Sequence, residues 1–518
     1  MIRSFLTVST GTLASRLLGF ARDAMVAALL GAGPVADAFL VAFQLTNVAR
    51  RLLTEGALNT ALVPAWLRVN ETKGAAAAAA FAGRVLGTVS VALIAIAGIA
   101  GLLMPLIITA LAPGFAGEDA LRQAVNDARL MLPYLAFAGP ATVTMALLNA
   151  HGRFALTAFA PLLFNIALLA VMSVLIVRRW DASEAAVAIA ATVGLAGLLQ
   201  LLILISRGSG YATPLRVTFD QEMRGFFARA IPGMIAGAGP QILLVGGAIV
   251  ASSSPSAVSW LYFANRLIEL PLGIVGVAVG AVLIPELTRA VRADDGPAIA
   301  HAQSRGLELA IALALPAMAG LIVLSGPVVR LLFEHGMFGA ADTQGTAQAL
   351  TWLALGLPAQ VLIKALSPAF FARGDTLTPL RATLKGFAVA IALAIVLGWL
   401  FGTQGIAAGI ALGAWSSGLV LIRRGLATFG FAIDAAARRR LPRIMAATGA
   451  MGASLWLAAP IALAAGGNMH GLAYGVLVAA LIAGGMAIYG LFLALLGVVS
   501  WGEATNALRQ TAGPRLRD

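Results

Sequence analysis

Apolar stretches of about 20 residues or more, each long enough to cross a bilayer as a helix, follow one another along nearly the whole of this 518-residue chain. That succession restricts its fold more than any other feature. Fourteen are present, at roughly 4–30, 34–68, 76–111, 121–150, 157–178, 184–206, 222–251, 257–290, 300–333, 343–371, 379–400, 405–427, 440–465 and 471–499. The longest polar connections between them run only about 10 to 25 residues, too short for a soluble domain. Composition agrees, with 60% of residues hydrophobic and 11% charged, where soluble domains carry about a quarter charged. The expected fold is an all-α polytopic membrane protein of fourteen transmembrane helices.

The formal charge of +13 belongs to topology rather than to nucleic acid. With the N-terminus cytoplasmic, most Lys and Arg fall in the alternate connections 68–84, 151–153, 207–229, 289–305, 373–385, 423–443 and the tail, and only Arg122, Arg129, Arg178, Arg179 and Arg330 lie opposite. Cytoplasmic loops carry such an excess, so both termini are expected inside. The first helix, with one early arginine and no small-residue cleavage site before its charged motif, is expected to be retained.

Several chemistries are excluded. There are no cysteines, hence no disulfides and no thiolate metal sites. His151, His301, His335 and His470 are scattered without ligand spacing. No nucleophile elbow, Walker-type glycine loop or HExxH is present. A transporter without cofactor or metal is expected, not an enzyme.

An internal repeat divides the chain. Setting Pro64 on Pro285 aligns AFLVAFQ…LVPAWLR with SWLYFAN…LIPELTR, and AHGRFALT at 150–157 falls on ARGDTLTP at 372–379 at nearly the same spacing. A duplicated six-helix unit follows, giving lobes at 1–218 and 219–430 with two extra helices in 431–518. Two lobes about a cleft suit alternating access, with the site where the repeats meet.

Charge in the spans marks that site. Arg16, Arg22, Asp23, Asp37, Arg50, Arg51 and Glu55 occupy the first two spans, although a central Arg or Asp costs roughly 3 kcal/mol on insertion scales. At 1.5 Å per residue Arg16 lies near the bilayer centre, with Arg22 and Asp23 about 9 Å further out. Asp37 then sits at the outer mouth and Asn47 deep, with Arg50, Arg51 and Glu55 toward the cytoplasm. In the second lobe Arg266 and Glu269 reach a depth similar to that of Arg16. Local neutralisation accounts for part of this, since Arg51 and Glu55 are four apart and Arg266 and Glu269 three. Arg16 and Arg22, however, share only Asp23 nearby. Guanidinium suits bidentate phosphate recognition, so a phosphate-bearing lipid headgroup is the expected ligand. Lys364 adds a further buried cation that either lines the cleft or snorkels.

Three stretches, SRLLGFARD at 15–23, DAFLVAFQLTNVARRLLTEGALNTALVP at 37–64 and WLYFANRLIELPLGIVGVAVGAVLIPEL at 260–287, resemble the MurJ/MviN family of lipid II flippases, within the multidrug/oligosaccharidyl-lipid/polysaccharide exporter superfamily. The resemblance covers essentially the full chain. It implies transfer of undecaprenyl-diphosphate-linked disaccharide pentapeptide from the inner to the outer leaflet of the bacterial inner membrane, for peptidoglycan synthesis. It further implies that Arg16, Arg22, Asp23, Arg51 and Arg266 engage the headgroup in a central cavity. Asp37, Asn47, Arg50, Glu55, Asn265 and Glu269 are then gating or charge-balancing groups, and the last two helices form a groove for the lipid tail. This chain departs from the family pattern at Thr46, where Pro is usual, and at Asn265, where Asp is common.

Uphill motion without a nucleotide site requires a gradient, for which membrane potential and a coupled monovalent ion are the candidates. Membrane lipids and the cell-wall synthesis machinery are the other candidate partners. The competing readings are another exporter of the superfamily, for polysaccharide-lipid or drugs, a membrane lipid-phosphate enzyme, and a scaffold for cell-wall assembly. A drug antiporter is expected to show unpaired buried acids, and an enzyme a convergent His, Asp or metal set. The arginine-rich motif matches neither.

Overall fold

The computed structural model describes residues 2–54, 57–208, 212–228, 239–278, 289, 296–371, 373, 375–429, 434–466, 469 and 471–498. Among them there are helices and no strands. In chain order the helices are α1 (Ile2–Leu30), α2 (Pro34–Thr54), α3 (Ala57–Leu111), α4 (Asp119–Met131), α5 (Pro133–Ala150), α6 (Phe154–Arg178) and α7 (Ala182–Gly208). They continue with α8 (Gly239–Ala251), α9 (Ala257–Ala278), α10 (Gly296–Val323), α11 (Ser325–Phe333), α12 (Ala340–Ala354), α13 (Leu357–Phe371), α14 (Leu377–Phe429), α15 (Ala435–Ala465) and α16 (Leu472–Leu495).

Two of these are really pairs. Gly74 breaks α3 at φ 83°, and Gly402 breaks α14 at φ 59°. Both torsions lie in the left-handed region that glycine enters without a Cβ penalty. Each break falls in a connection expected from the sequence. By length and composition eight helices among the described residues can cross a membrane, or nine if α12 and α13, bent by 45°, are one span. The eight do not include α1, α2 or α9. Those three carry the described charged residues that the sequence assigns to the site.

The chain forms two compact units. The first takes in Met1–Phe263, Leu332–Thr346 and Phe387–Ile410, so that segments beyond residue 218 pack with the N-terminal helices. In it α1 lies on α6, α2 on α4, α3 on α5, and α5 and α6 on α7. Small residues permit these approaches: a Cβ on Gly194 of α7 would stand 2.3 Å from the Leu130 carbonyl oxygen, and one on Gly11 of α1 would stand 2.8 Å from that of Ala158. Membrane helices without water to expel associate through such contacts. The second unit takes in Ala264–Leu331, Ala347–Gly386 and Ala411–Asp518. There α10 packs on α13 and α15, and α15 on α16. Leu307, Leu362, Leu366, Phe370 and Leu421 make one buried cluster, and Leu324, Met451 and Leu455 another.

Helix starts follow their polar residues. Asp434 accepts from the Ala437 amide at 2.7 Å and Asp375 from that of Thr378 at 2.9 Å, each satisfying one of the free donors at a helix N-terminus. Helix α2 runs without interruption from Pro34 to Thr54, and the Thr46 hydroxyl donates back to the Ala42 carbonyl at 3.3 Å.

Candidate functional site

The first helix carries its charges on different sides. Arg22 and Asp23 are buried, at 5% and 0% exposure. Arg22 donates through Nε and Nη2 to Asp23 Oδ1, at 2.9 and 2.7 Å, and through Nη1 to Asn165 Oδ1 of α6 at 3.2 Å. Asn165 in turn donates to the Ser15 carbonyl at 3.2 Å, and the Tyr262 hydroxyl of α9 donates to Asp23 Oδ1 at 3.2 Å. The guanidinium lies 4.9 Å from the Phe43 ring centre, with Phe164 at 6.0 Å. Side chains from four helices, all within the first unit, thus converge on one ion pair. Arg22, expected at the ligand surface, is here the hub of a sealed cluster, because each of its nitrogens already has an acceptor.

Arg16 differs. It is exposed, and among the described residues its side chain has no ion pair or hydrogen bond. On α2, Arg50 is half-buried, with Nε and Nη2 each 3.4 Å from Asn47 Oδ1 and the Phe164 ring 6.0 Å away. Phe164 therefore stands 6.0 Å from both Arg22 and Arg50, and aromatic faces attract such cations. The Arg51 side chain and all of Glu55 lie outside the described residues.

Asp37 is 2% exposed. Its Oδ1 accepts from the Ser259 amide at 2.8 Å and from the Ser259 hydroxyl. Ser259 is in the first turn of α9, so Asp37 caps the start of a helix 222 positions later in the chain. Around it Trp260 donates to Asp342 at 3.3 Å and the Met337 amide to the Ala28 carbonyl at 2.9 Å.

In the second unit Arg266 donates to Glu269 Oε2 at 2.7 Å, three residues on along α9. Asn265 beside them is buried. Lys364 of α13 is half-buried, its Nζ 3.4 Å from where a Cβ on Gly276 would stand. No group of three potential metal ligands occurs among the described residues.

The sequence reading missed Asn165, Tyr262, Phe43 and Phe164. Asn165 left a signal, being the only amide in the otherwise apolar helix FALTAFAPLLFNIALLAV. Buried polar groups find partners, and a lone one in such a helix asks for its own.

A family model described as lipid II flippase MurJ matches residues 26–482. The chain is 38% identical over 503 residues to a probable lipid II flippase MurJ of Rhizobium meliloti (strain 1021), covering 94% of this chain and 92% of that one. It is 32% identical over 433 residues to the lipid II flippase MurJ of Burkholderia cenocepacia, covering 81% and 83%. Among solved structures it resembles a lipid II flippase MurJ in an inward closed conformation, with TM-score 0.77, 21% identity and coverage of 95% and 98%. It also resembles an inward-facing multidrug resistance MATE transporter of the MOP superfamily, with TM-score 0.65, 16% identity and coverage of 85% and 99%.

Proposed function

Because the chain belongs to the lipid II flippase MurJ family, we propose that it carries lipid II from the cytoplasmic to the periplasmic leaflet of the bacterial inner membrane. The headgroup of that substrate bears a diphosphate, which guanidinium groups grip through paired charge-assisted hydrogen bonds. One observation carries the assignment of the site: on a single helix Arg22 is sealed and neutralised while Arg16 is exposed without a partner among the described residues. An unneutralised arginine about 9 Å along the helix from a neutralised one is a charge kept for a ligand.

In this mechanism the guanidiniums of Arg16, Arg51 and Arg266 are the groups assigned to the diphosphate. Arg22 and Asp23 hold α1, α6 and α9 in register so that Arg16 is presented correctly. Glu269 holds Arg266 until the substrate displaces it. Asp37 belongs to the outer gate, and Asn47, Arg50, Glu55 and Asn265 balance charge as the gates open and close. The architecture proposed is fourteen spans with both termini cytoplasmic, two repeated lobes at 1–218 and 219–430, and two helices in 431–518 that shelter the lipid tail. Transport proceeds by alternating access, driven by membrane potential or a monovalent ion at about 2.3 kcal/mol per charge per 100 mV.

The test uses cells depleted of their own flippase and an assay for lipid II exposed in the outer leaflet. The wild-type chain should restore both growth and exposure. Arg16→Ala and Arg266→Ala should reach the membrane in normal amount and restore neither. Full rescue by both would remove the diphosphate clamp.

A further inference from the structure

The stretch 212–220, between α7 and the short helical segment 221–228, has no regular secondary structure and forms a strap against α3 of the first unit. Its inner side is fastened to α3. A Cβ on Gly83 would come 2.3 Å from the Pro214 carbonyl oxygen, and one on Gly87 would come 2.6 Å from that of Arg216. The Arg216 amide donates to the Gly83 carbonyl at 3.4 Å, and Thr88 Oγ1 bonds both the Thr218 carbonyl and the Thr218 amide at 3.3 Å. Arg84 then spans Asp220 at 2.7 Å and Glu222 at 2.6 Å.

Three of its exposed side chains are large and apolar. Leu215, Val217 and Phe219 are exposed at 64%, 48% and 63%, in a stretch where Thr213, Pro214 and Asp220 are exposed as well. Arg216 and Arg224 are exposed beside them. Counting back about 20 residues from Leu111, the end of α3, reaches Val91. At Val91 the exposed apolar run of α3 begins, continuing through Ile94, Ile96 and Ile99. The strap meets α3 at 83–88, just beyond that edge, at headgroup depth.

We propose that this strap is an interfacial membrane anchor. Leu215, Val217 and Phe219 enter the boundary between headgroups and acyl chains, and Arg216 and Arg224 engage the phosphates of anionic phospholipids. Apolar side chains flanked by cations are the chemistry of a lipid surface. The inference goes beyond the flippase reading and does not depend on which lipid is carried.

The chain has no cysteine, so Val217→Cys and Phe219→Cys can each carry a polarity-sensitive fluorophore in the full-length protein. Vesicles of phosphatidylcholine with and without phosphatidylglycerol are compared, with exposed Thr213→Cys as reference. The expected result is blue-shifted emission at 217 and 219, quenched by a headgroup-proximal spin-labelled lipid and shielded from aqueous iodide, more strongly in the anionic vesicles. Replacing Arg216 and Arg224 together by Gln should bring anionic shielding down to the neutral level. Iodide quenching at 217 and 219 equal to that at 213 would overturn the proposal. So would shielding from both quenchers together with a concentration-dependent dimer, which would assign the face to a protein. Shielding that ignores phosphatidylglycerol would remove the role given to the two arginines. Impermeant labelling of Thr213→Cys reads the side of the membrane separately, so a wrong orientation is distinguished from a strap that is not immersed.

Discussion

Arg22 and Arg84 each divide one guanidinium between two acceptors, and their settings differ. The side chains of Arg22 and Asp23 are 6% and 1% exposed. Those of Arg84, Asp220 and Glu222 are 24%, 42% and 40% exposed. Similar bonding therefore has different worth. Removing one partner of a buried pair leaves a charge that water cannot reach and costs about 3–5 kcal/mol. An exposed pair contributes about 0–1 kcal/mol. The inner cluster holds helices together, whereas the outer one fixes the position of a peripheral segment.

The sharpest way to break that contrast is Asp23→Ala. It should lower stability by about 3–5 kcal/mol, read as a large drop in the thermal unfolding midpoint of the purified protein, with Asp23→Asn falling less. An unchanged midpoint would mean that Arg22 does not depend on Asp23. Tyr262→Phe removes one donor to the same carboxylate and should cost about 1 kcal/mol, measured in the same way. Arg84→Ala should cost less than about 1 kcal/mol yet raise iodide quenching at a fluorophore on Val217→Cys, since the strap loses its clamp. A midpoint loss as large as that of Asp23→Ala would erase the distinction between the two arginines.

The smallest effect concerns acid. The Met223 amide donating to Asp220, with Arg84 adding to it, holds that carboxyl below the ordinary carboxylate range. A depressed folded value gives a contribution that is complete above the unfolded value, about 3.9, and disappears only as pH falls through the lower folded one. Emission from the labelled Val217→Cys strap should thus be constant from pH 7 to about 5. A change within that window would show that Asp220 is not what holds the strap.

Much of the fold was legible because its signal is local. Apolar runs, the breaks at Gly74 and Gly402, and the Arg266 and Glu269 pair three residues apart all lie within a turn or two of sequence. The partners of the first helix do not. Asn165 is 143 positions from Arg22 and Tyr262 is 239 from Asp23, separations that periodicity cannot bridge. The different surroundings of Arg16 and Arg22 also follow from helix geometry. Six residues turn an α-helix by about 600°, which sets the two roughly 120° apart around the axis. Arg22 is accordingly buried among helices while Arg16 is exposed. The strap escaped notice because a short polar connection with three isolated apolar residues carries no helical pattern.

Helix α9 begins with a cap that it does not own. The Asp37 carboxylate serves its first-turn amide and hydroxyl at Ser259, from a residue 222 positions earlier in the chain. Drawing the two apart exposes a carboxylate and a helix start together, and neither tolerates a dry surrounding. Any separation at this point is therefore a hydration event, in which water has to reach the carboxylate and the helix start as they lose each other.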